Sequence, residues 1–95
     1  MFNSKRYITK GVQSDIPAEL LIFMWNCIDN LPDQCDYFQV FKLENVNEIQ
    51  KVHHFSEKPE YSADYILTSV RKPVTSKVYV IDDKEYTTML LANEY

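Results

Sequence analysis

Two adjacent histidines, His53 and His54, are the first candidates for chemistry in this 95-residue chain. Imidazole binds metals and titrates near neutral pH, so the pair could hold a metal ion or respond to pH. Both fall in a predicted strand, where neighbouring side chains point to opposite faces. One metal ion could not bind both, and its other ligands would have to come from distant segments. We therefore predict no metal site and expect both histidines to be exposed or at a strand edge.

The two cysteines, Cys27 and Cys35, could serve as nucleophiles only as thiolates. Cys27 falls near the C-terminal end of a predicted helix, where the helix dipole opposes negative charge. Cys35 lies among Asp33 and Asp36, which oppose it as well. We expect Cys27 in the core and Cys35 in an exposed loop. Two cysteines are too few for a disulfide scaffold, which favours a reduced, cytoplasmic protein.

Carboxylates form two groups that could carry out acid–base chemistry. Asp82 and Asp83 are adjacent at a strand end, and Asp29, Asp33 and Asp36 surround the end of the predicted helix. A polar hairpin tip and a solvated helix end explain both groups without catalysis. We predict no catalytic residues, and an enzyme that uses Asp or His is the third-ranked hypothesis.

Basic residues form two groups, each beside a tyrosine. Tyr7 accompanies the first group and Tyr79 the second, so the two would form one basic and aromatic patch if their strands were neighbours. Such a patch could stack bases and bind phosphates. Lys and Arg also protect edge strands from aggregation, and the net charge of −4 disfavours nucleic acid as a partner. The members of this candidate basic patch are Lys5, Arg6, Arg71, Lys72 and Lys77.

The elements that must position these residues are one long helix and several strands. Residues 16–31 are apolar over much of the helical circumference, Ser14 or Asp15 is expected to cap the helix, and Pro32 ends it. A short strand is predicted before the helix, at residues 5–9. From residue 37 onward, alternating segments separated by turns predict strands at residues 37–43, 49–55, 65–70, 78–82 and 86–91. The sequence therefore predicts a single α+β domain over residues 1–95. In it, one main amphipathic helix packs on a twisted, mostly antiparallel sheet of five to six strands.

The helix projection also predicts a candidate interface. The core stripe centres on Leu20 and Met24, with Phe23 and Trp25 on its flanks, while Ile22 falls on the polar side. This apolar excess needs cover from the rest of the chain or from another molecule. Ile22, Phe23 and Trp25 are therefore the candidate interface.

Cofactors and membranes are not expected. Gly11 is the single glycine, whereas phosphate-binding loops need several, so we predict no cofactor. No apolar run approaches the ~20 residues of a membrane span, and no signal peptide is expected. The composition predicts a cytoplasmic protein.

Three segments together resemble a known family: residues 1–12, the helix from Ile16 to Trp25, and the end of the chain at Val78–Asp83 and Thr88–Ala92. The family is a small domain of unknown function in low-GC Gram-positive bacteria such as staphylococci and streptococci. The resemblance covers essentially the whole chain and implies a cytosolic, stand-alone α+β domain. It implies no activity and no site residues.

The leading functional hypothesis is a small, non-enzymatic protein-interaction module, for which a homodimer is one form. This hypothesis is based on the wide apolar arc of the helix and on the lack of a convincing group of catalytic residues. The alternative is nucleic-acid binding through the candidate basic patch.

Overall fold

Alternation of apolar and polar side chains produces six strands in the structure, a computed structural model that describes residues 1–95. In β3, for example, every second residue is buried. The strands are β1 (Lys5–Ile8), β2 (Phe38–Val46), β3 (Ile49–Glu57), β4 (Glu60–Leu67), β5 (Ser76–Asp82) and β6 (Tyr86–Leu91). The helices are α1 (Lys10–Asp15), α2 (Ala18–Asp29) and a 3-10 turn at Ala92–Glu94.

The strands form one mixed sheet in the order β1-β6-β5-β2-β3-β4. Every neighbouring pair is antiparallel except β1 and β6, which run parallel. The α+β class, with one main helix on a mostly antiparallel sheet, is therefore confirmed. The parallel pairing of β1 with β6 brings together segments about 80 residues apart in sequence.

The helical layer differs from the prediction at its start. Residues 10–15 form α1, because the Thr9 hydroxyl accepts a hydrogen bond from the Val12 amide and caps its first turn. The main helix α2 begins at Ala18 after Pro17, with no side-chain cap, and ends at Asp29. Ser14 and Asp15, the expected caps of the main helix, lie in α1 instead.

The core lies between this helical layer and one face of the sheet, here named the covered face. Leu20, Met24 and Cys27 of α2 contact sheet residues such as Phe41 and Met89, all of them buried. Burial of these apolar side chains is the main source of stability for a domain of this size. No helix in the structure combines the length and the apolar character that a membrane crossing needs.

Close contacts join the start of the helical layer to the last residues. The Glu94 carboxylate accepts hydrogen bonds from the Thr9 hydroxyl at 2.6 Å and from the Leu91 amide at 2.8 Å. These bonds lower the pKa of Glu94, the Thr9 bond having the largest effect. A Cβ at Gly11 would lie only 2.6 Å from this carboxylate. A side chain at Gly11 would therefore displace the Glu94 carboxylate from its present position.

The register of β2 and β3 is set by a two-residue turn at Asn47 and Glu48. Both residues have positive φ, at 52° and 66°, as a type I′ hairpin turn requires. The Asn45 side-chain oxygen accepts a hydrogen bond from the Glu48 amide and supports the turn. The pairing then runs without a bulge from Val46 opposite Ile49 to Val40 opposite Phe55.

Candidate functional site

The second face of the sheet, here named the open face, has no helix against it. Strand register assigns each side chain to a face, because residues directly opposite each other in neighbouring strands share one. Phe41, Val78 and Leu91 share the covered face. Val40 and Tyr79, each one residue away, therefore point to the open face.

A band of apolar side chains crosses the open face, here named the apolar strip. Phe55, Val40, Tyr79 and Leu90 lie side by side on β3, β2, β5 and β6. Phe38 on β2 extends the strip toward the end of the sheet. Val40 is 9% exposed and the other four are half-buried, although no second layer covers them. Neighbouring side chains on the sheet, together with Tyr95 near one end of the strip, therefore provide their cover.

Aromatic rings concentrate at one end of the apolar strip. Phe38, Tyr79 and Tyr95 form a triangle with centroid separations of 4.8, 5.5 and 5.5 Å. Tyr37 packs edge-on against Phe38 at 6.3 Å. Tyr95 remains 77% exposed and Tyr37 57% exposed, so both could contact another molecule. A cavity of about 800 Å³ lies beside this cluster and is lined in part by Val40.

A row of charged side chains runs beside the apolar strip, here named the charged row. Asp64, His53, Lys42 and Lys77 lie directly opposite one another on β4, β3, β2 and β5. Asp64 bonds to His53 at 2.7 Å, but neither lysine has an ion-pair partner. Like charges directly opposite each other destabilise a sheet. The Lys42–Lys77 pair is therefore unfavourable within the isolated chain.

A second charged pair follows the charged row. Lys51 on β3 lies directly opposite Glu44 on β2, and Ile66 on β4 lies beside Lys51. Lys51 and Glu44 form no salt bridge, and Ile66 is 65% exposed. The open face therefore carries free charges of both signs around an apolar centre.

Two of the three residues of the candidate interface on the helix, Phe23 and Trp25, are covered by other residues of the same chain. Phe23 packs edge-on against Tyr65 of β4 with centroids 5.0 Å apart. Trp25 lies under the Arg6 guanidinium, 4.8 Å from the ring centroid. Ile22 alone points outward and is 62% exposed. A single exposed apolar side chain is ordinary on a protein surface and does not by itself mark an interface.

The candidate basic patch is not brought together. Strand β6 separates β1 from β5, and register places Lys5 level with Tyr86 but Lys77 beyond Leu91. These two lysines therefore lie about 20 Å apart, at ~3.3 Å per residue along the strands. Arg6 is engaged by Asp29 and Trp25 on the covered side. Arg71 and Lys72 line a separate cavity with residues at the start of the helical layer.

The histidines do lie on opposite faces, but the expectation that both are exposed was wrong. His54 is fully buried and stacks on Phe41 with ring centroids 4.2 Å apart. Its Nε2 donates to the Gln39 side-chain oxygen at 2.7 Å, while Nδ1 has no hydrogen-bond partner. Burial, with a smaller effect from His53, lowers the pKa of His54 to about 4. Gln39 makes this burial possible, because its own amide group donates to the Asp36 carbonyl.

The cysteines and carboxylates serve the structure. Cys27 is buried as predicted, whereas Cys35 is half-buried, and burial raises the pKa of both thiols. Asp36 accepts backbone hydrogen bonds from three amides, which together outweigh its desolvation and lower its pKa. Asp82 accepts from the Phe2 amide at 3.0 Å. No group of three or more His, Cys, Asp or Glu residues is arranged to hold a metal ion.

Comparison with known proteins places this fold in a family. The family model described as "Staphylococcal protein of unknown function (DUF960)" matches residues 5–94. The chain belongs to the DUF960 family. The DUF960 chain is also similar to a solved structure described as a protein of unknown function from Enterococcus faecalis. The two are 28% identical with a TM-score of 0.78, over 97% of this chain and 91% of that one. A search of curated proteins finds no match.

The open face of the DUF960 chain was missed by the sequence reasoning. The predicted strand at residues 37–43 contains the signal, since its alternation slips between Val40 and Phe41 and indicates either a bulge or burial on both faces. The pairing has no bulge there, and Val40 and Phe41 are both buried, so the second alternative is confirmed. The slip arises because Gln39 is a polar residue on the covered face. The positions of Phe55, Tyr79 and Leu90 beside Val40 depend on strand order, which the sequence does not specify.

Proposed function

We propose that this DUF960 protein is a small, non-enzymatic protein-interaction module that acts in the cytoplasm and binds its partner through the open face. One observation carries the proposal: the apolar strip lies on a sheet face against which no helix packs, and the Tyr95 ring covers only part of one end. Aromatic side chains with polar tips are typical anchors of protein interfaces.

The distribution of exposed apolar residues supports this surface over the helix. Tyr7, Ile49, Ile66 and Tyr86 are all large, exposed and assigned to the open face by register. On α2 the corresponding residue is Ile22 alone. Tyr7 and Tyr86 pack edge-on against each other with centroids 5.6 Å apart, whereas Ile22 stands alone, as scattered apolar residues on a protein surface do.

Nucleic-acid binding through the candidate basic patch is a weaker proposal, because its five members are dispersed and Arg6 is paired with Asp29. An enzyme is weaker still. Asp36 and Asp82 hold backbone amides, and His54 is sealed in the core. Binding at the open face requires none of these groups.

An affinity-capture experiment tests the proposed function. Immobilised wild-type protein is compared with Phe55→Ser on the apolar strip and with Ile22→Ser on the helix as the matched control. Proteins captured from a bacterial lysate are then purified and titrated against all three baits. We expect a partner, either a different protein or the chain itself, whose affinity falls about tenfold or more with Phe55→Ser and is unchanged with Ile22→Ser.

Two results would contradict the proposal. The first is a partner that depends on Ile22 and is indifferent to Phe55, because this would return the interface to the helix. The second is a captured nucleic acid whose binding weakens with salt and with reversal of Arg71 and Lys72, because this would favour the alternative function.

A further inference from the structure

We propose that the partner at the open face is a second copy of this chain, packed sheet against sheet. The two copies would be related by a two-fold axis that runs parallel to the strands between β2 and β3. This inference rests on the proposed function and names the partner of the same surface. The helical layers of both copies would then lie outside a central pair of sheets.

The main support for this inference is the order of charges along the charged row. A two-fold interface requires a surface that is complementary to itself. From β4 to β5 the row runs Asp64, His53, Lys42, Lys77, with the acid at one end and the lysines at the other. Rotation about the proposed axis reverses the row. Asp64 then meets Lys77 of the second copy, and Lys77 meets Asp64.

The rotation also reverses the two rows of side chains on either side of the charged row, again with favourable contacts. Lys51 and Glu44 exchange places, so each faces the opposite charge on the second copy. Phe55 and Val40 exchange places too, which puts apolar side chains together at the axis. The rotation therefore brings opposite charges together in one row and apolar side chains together in the next.

The geometry of packed sheets permits these pairs. Sheets that pack face to face lie ~10 Å apart with their strands ~30° from parallel, and their side chains interdigitate. Asp64 and Lys77 lie about one and a half strand spacings from the axis, or ~7 Å. The angle between the sheets shifts them by only about 4 Å, which is within the reach of an extended lysine side chain.

The buried area is sufficient for a specific but modest dimer. The axis places β4, β3, β2 and β5 against the same four strands of the second copy. Four strands ~4.8 Å apart and about eight residues long cover ~500 Å² on each copy, or about 1,000 Å² in total. This area lies at the lower end for specific interfaces, so we expect reversible association in the micromolar range.

Charge favours a second copy over nucleic acid. The open face carries the lysines of the charged row but also Asp64, Glu44, Glu57 and Glu60, and the chain has a net charge of −4. A phosphate backbone would meet these carboxylates unfavourably. A surface with both signs in reversed order suits a copy of itself.

Charge-swap variants in analytical ultracentrifugation test the inference. Lys77→Glu and Asp64→Lys should each raise the dimer dissociation constant about tenfold or more, and the double variant should restore association. Asp64 and Lys77 are three strands apart in one chain, or ~14 Å, so an intrachain bond cannot produce the rescue. Lys72→Glu, in an exposed loop away from the face, is the matched control and should change nothing. Circular dichroism checks that each variant is folded.

Rescue in the double variant would support the dimer and its axis. A wild-type protein that stays monomeric up to about 1 mM would overturn the inference. The proposed function would survive that result if a different protein still required Phe55. Dimerisation that is unaffected by Lys77→Glu but lost with Ile22→Glu would also overturn it. Binding of a fluorescent deoxythymidine 12-mer that weakens with Lys77→Glu would overturn it in favour of nucleic acid.

Discussion

The covered and open faces of the sheet come from the same strands but solve different problems. On the covered face, polar side chains such as Gln39 and Gln50 are sealed in and almost fully hydrogen-bonded. On the open face, Lys42, Lys77 and Lys51 remain free of ion pairs beside half-buried aromatic rings. Buried polar groups need hydrogen-bond partners within the chain, because water cannot reach them. Exposed polar groups are hydrated in the isolated chain and remain free to bind another molecule. The covered face therefore determines stability, and the open face is available for recognition.

The largest contrast is expected between two phenylalanines on neighbouring strands. Phe41 is fully buried on the covered face, while Phe55 is half-buried on the open face. Phe41→Ala should lower the free energy of unfolding by about 3–5 kcal/mol, because it leaves a cavity. Phe55→Ala should lower it by about 1–2 kcal/mol, because solvent reaches the site. Urea denaturation measures both, and equal losses would show that the faces do not differ in this way.

The two adjacent histidines, one on each face, predict that the pH dependence of stability comes from the covered face. His54 has a pKa lowered to about 4 in the folded state, against about 6.5 when unfolded. The unfolded chain therefore binds the extra proton first as the pH falls. Stability should be intact above pH 6.5 and decrease by about 3 kcal/mol between pH 6.5 and pH 4. Urea unfolding at a series of pH values measures this slope.

Two variants test which face produces this change of the free energy of unfolding with pH. His54→Gln should remove most of the pH dependence above pH 4.5, although the protein will be less stable throughout. His53→Gln, on the open face, should leave the dependence in place. The side chains in contact with His54 are Gln39, Phe41 and Tyr61, none of which changes charge in this window. His53 has a smaller electrostatic effect on His54, and the His53→Gln variant removes it. An unchanged slope in His54→Gln would refute the assignment.

A smaller difference is expected between polar residues on the two faces. The Gln50 side chain donates to the Val74 carbonyl at 3.0 Å and accepts from the Val74 amide at 2.8 Å. Gln50→Leu should cost about 1–3 kcal/mol, because it leaves these backbone groups without partners. Glu44→Gln, on the open face, should change stability by less than about 0.5 kcal/mol. Thermal or urea denaturation compares the two, and a neutral Gln50→Leu would show that the segment around Val74 is held by other contacts.

The smallest effect concerns the helix. Ile22→Ser should change the free energy of unfolding by less than about 0.5 kcal/mol, since Ile22 contacts solvent. Phe23→Ser, one residue away and packed on Tyr65, should cost more and serves as the contrast. A large loss of stability or of association with Ile22→Ser would make the helix a second functional surface.

Local pattern was enough to predict the class of the fold. Apolar spacing in residues 16–31 predicted the main helix, and alternation predicted the strands, because both periodicities follow from backbone geometry. The sequence predicted less about elements that are held by contacts with distant parts of the chain. The short helix α1 has a weak sequence signal and is held by the Thr9 cap and by contacts with Glu94. The third predicted strand, at residues 65–70, lies at residues 60–67, because β4 follows directly from the turn after β3.

The candidate site was far less predictable than the fold. Sequence reasoning identified Ile22 as exposed in an apolar helix, and the structure agrees, but Phe23 and Trp25 found partners on β4 and β1. No local pattern reveals that Tyr65 and Arg6 come to those two flanks. For the same reason the five basic residues looked like one patch until strand order separated them.

The sequence by itself determined that this chain forms an α+β domain, where its helix and most of its strands lie, and which residues are available to a core. Those properties depend on side chains close together in the chain. Only the tertiary structure decided that Val40, Phe55, Tyr79 and Leu90 share an uncovered face and that Lys42 lies opposite Lys77. The physical reason is that strand order and register are set by pairing between distant segments, which sequence spacing does not encode.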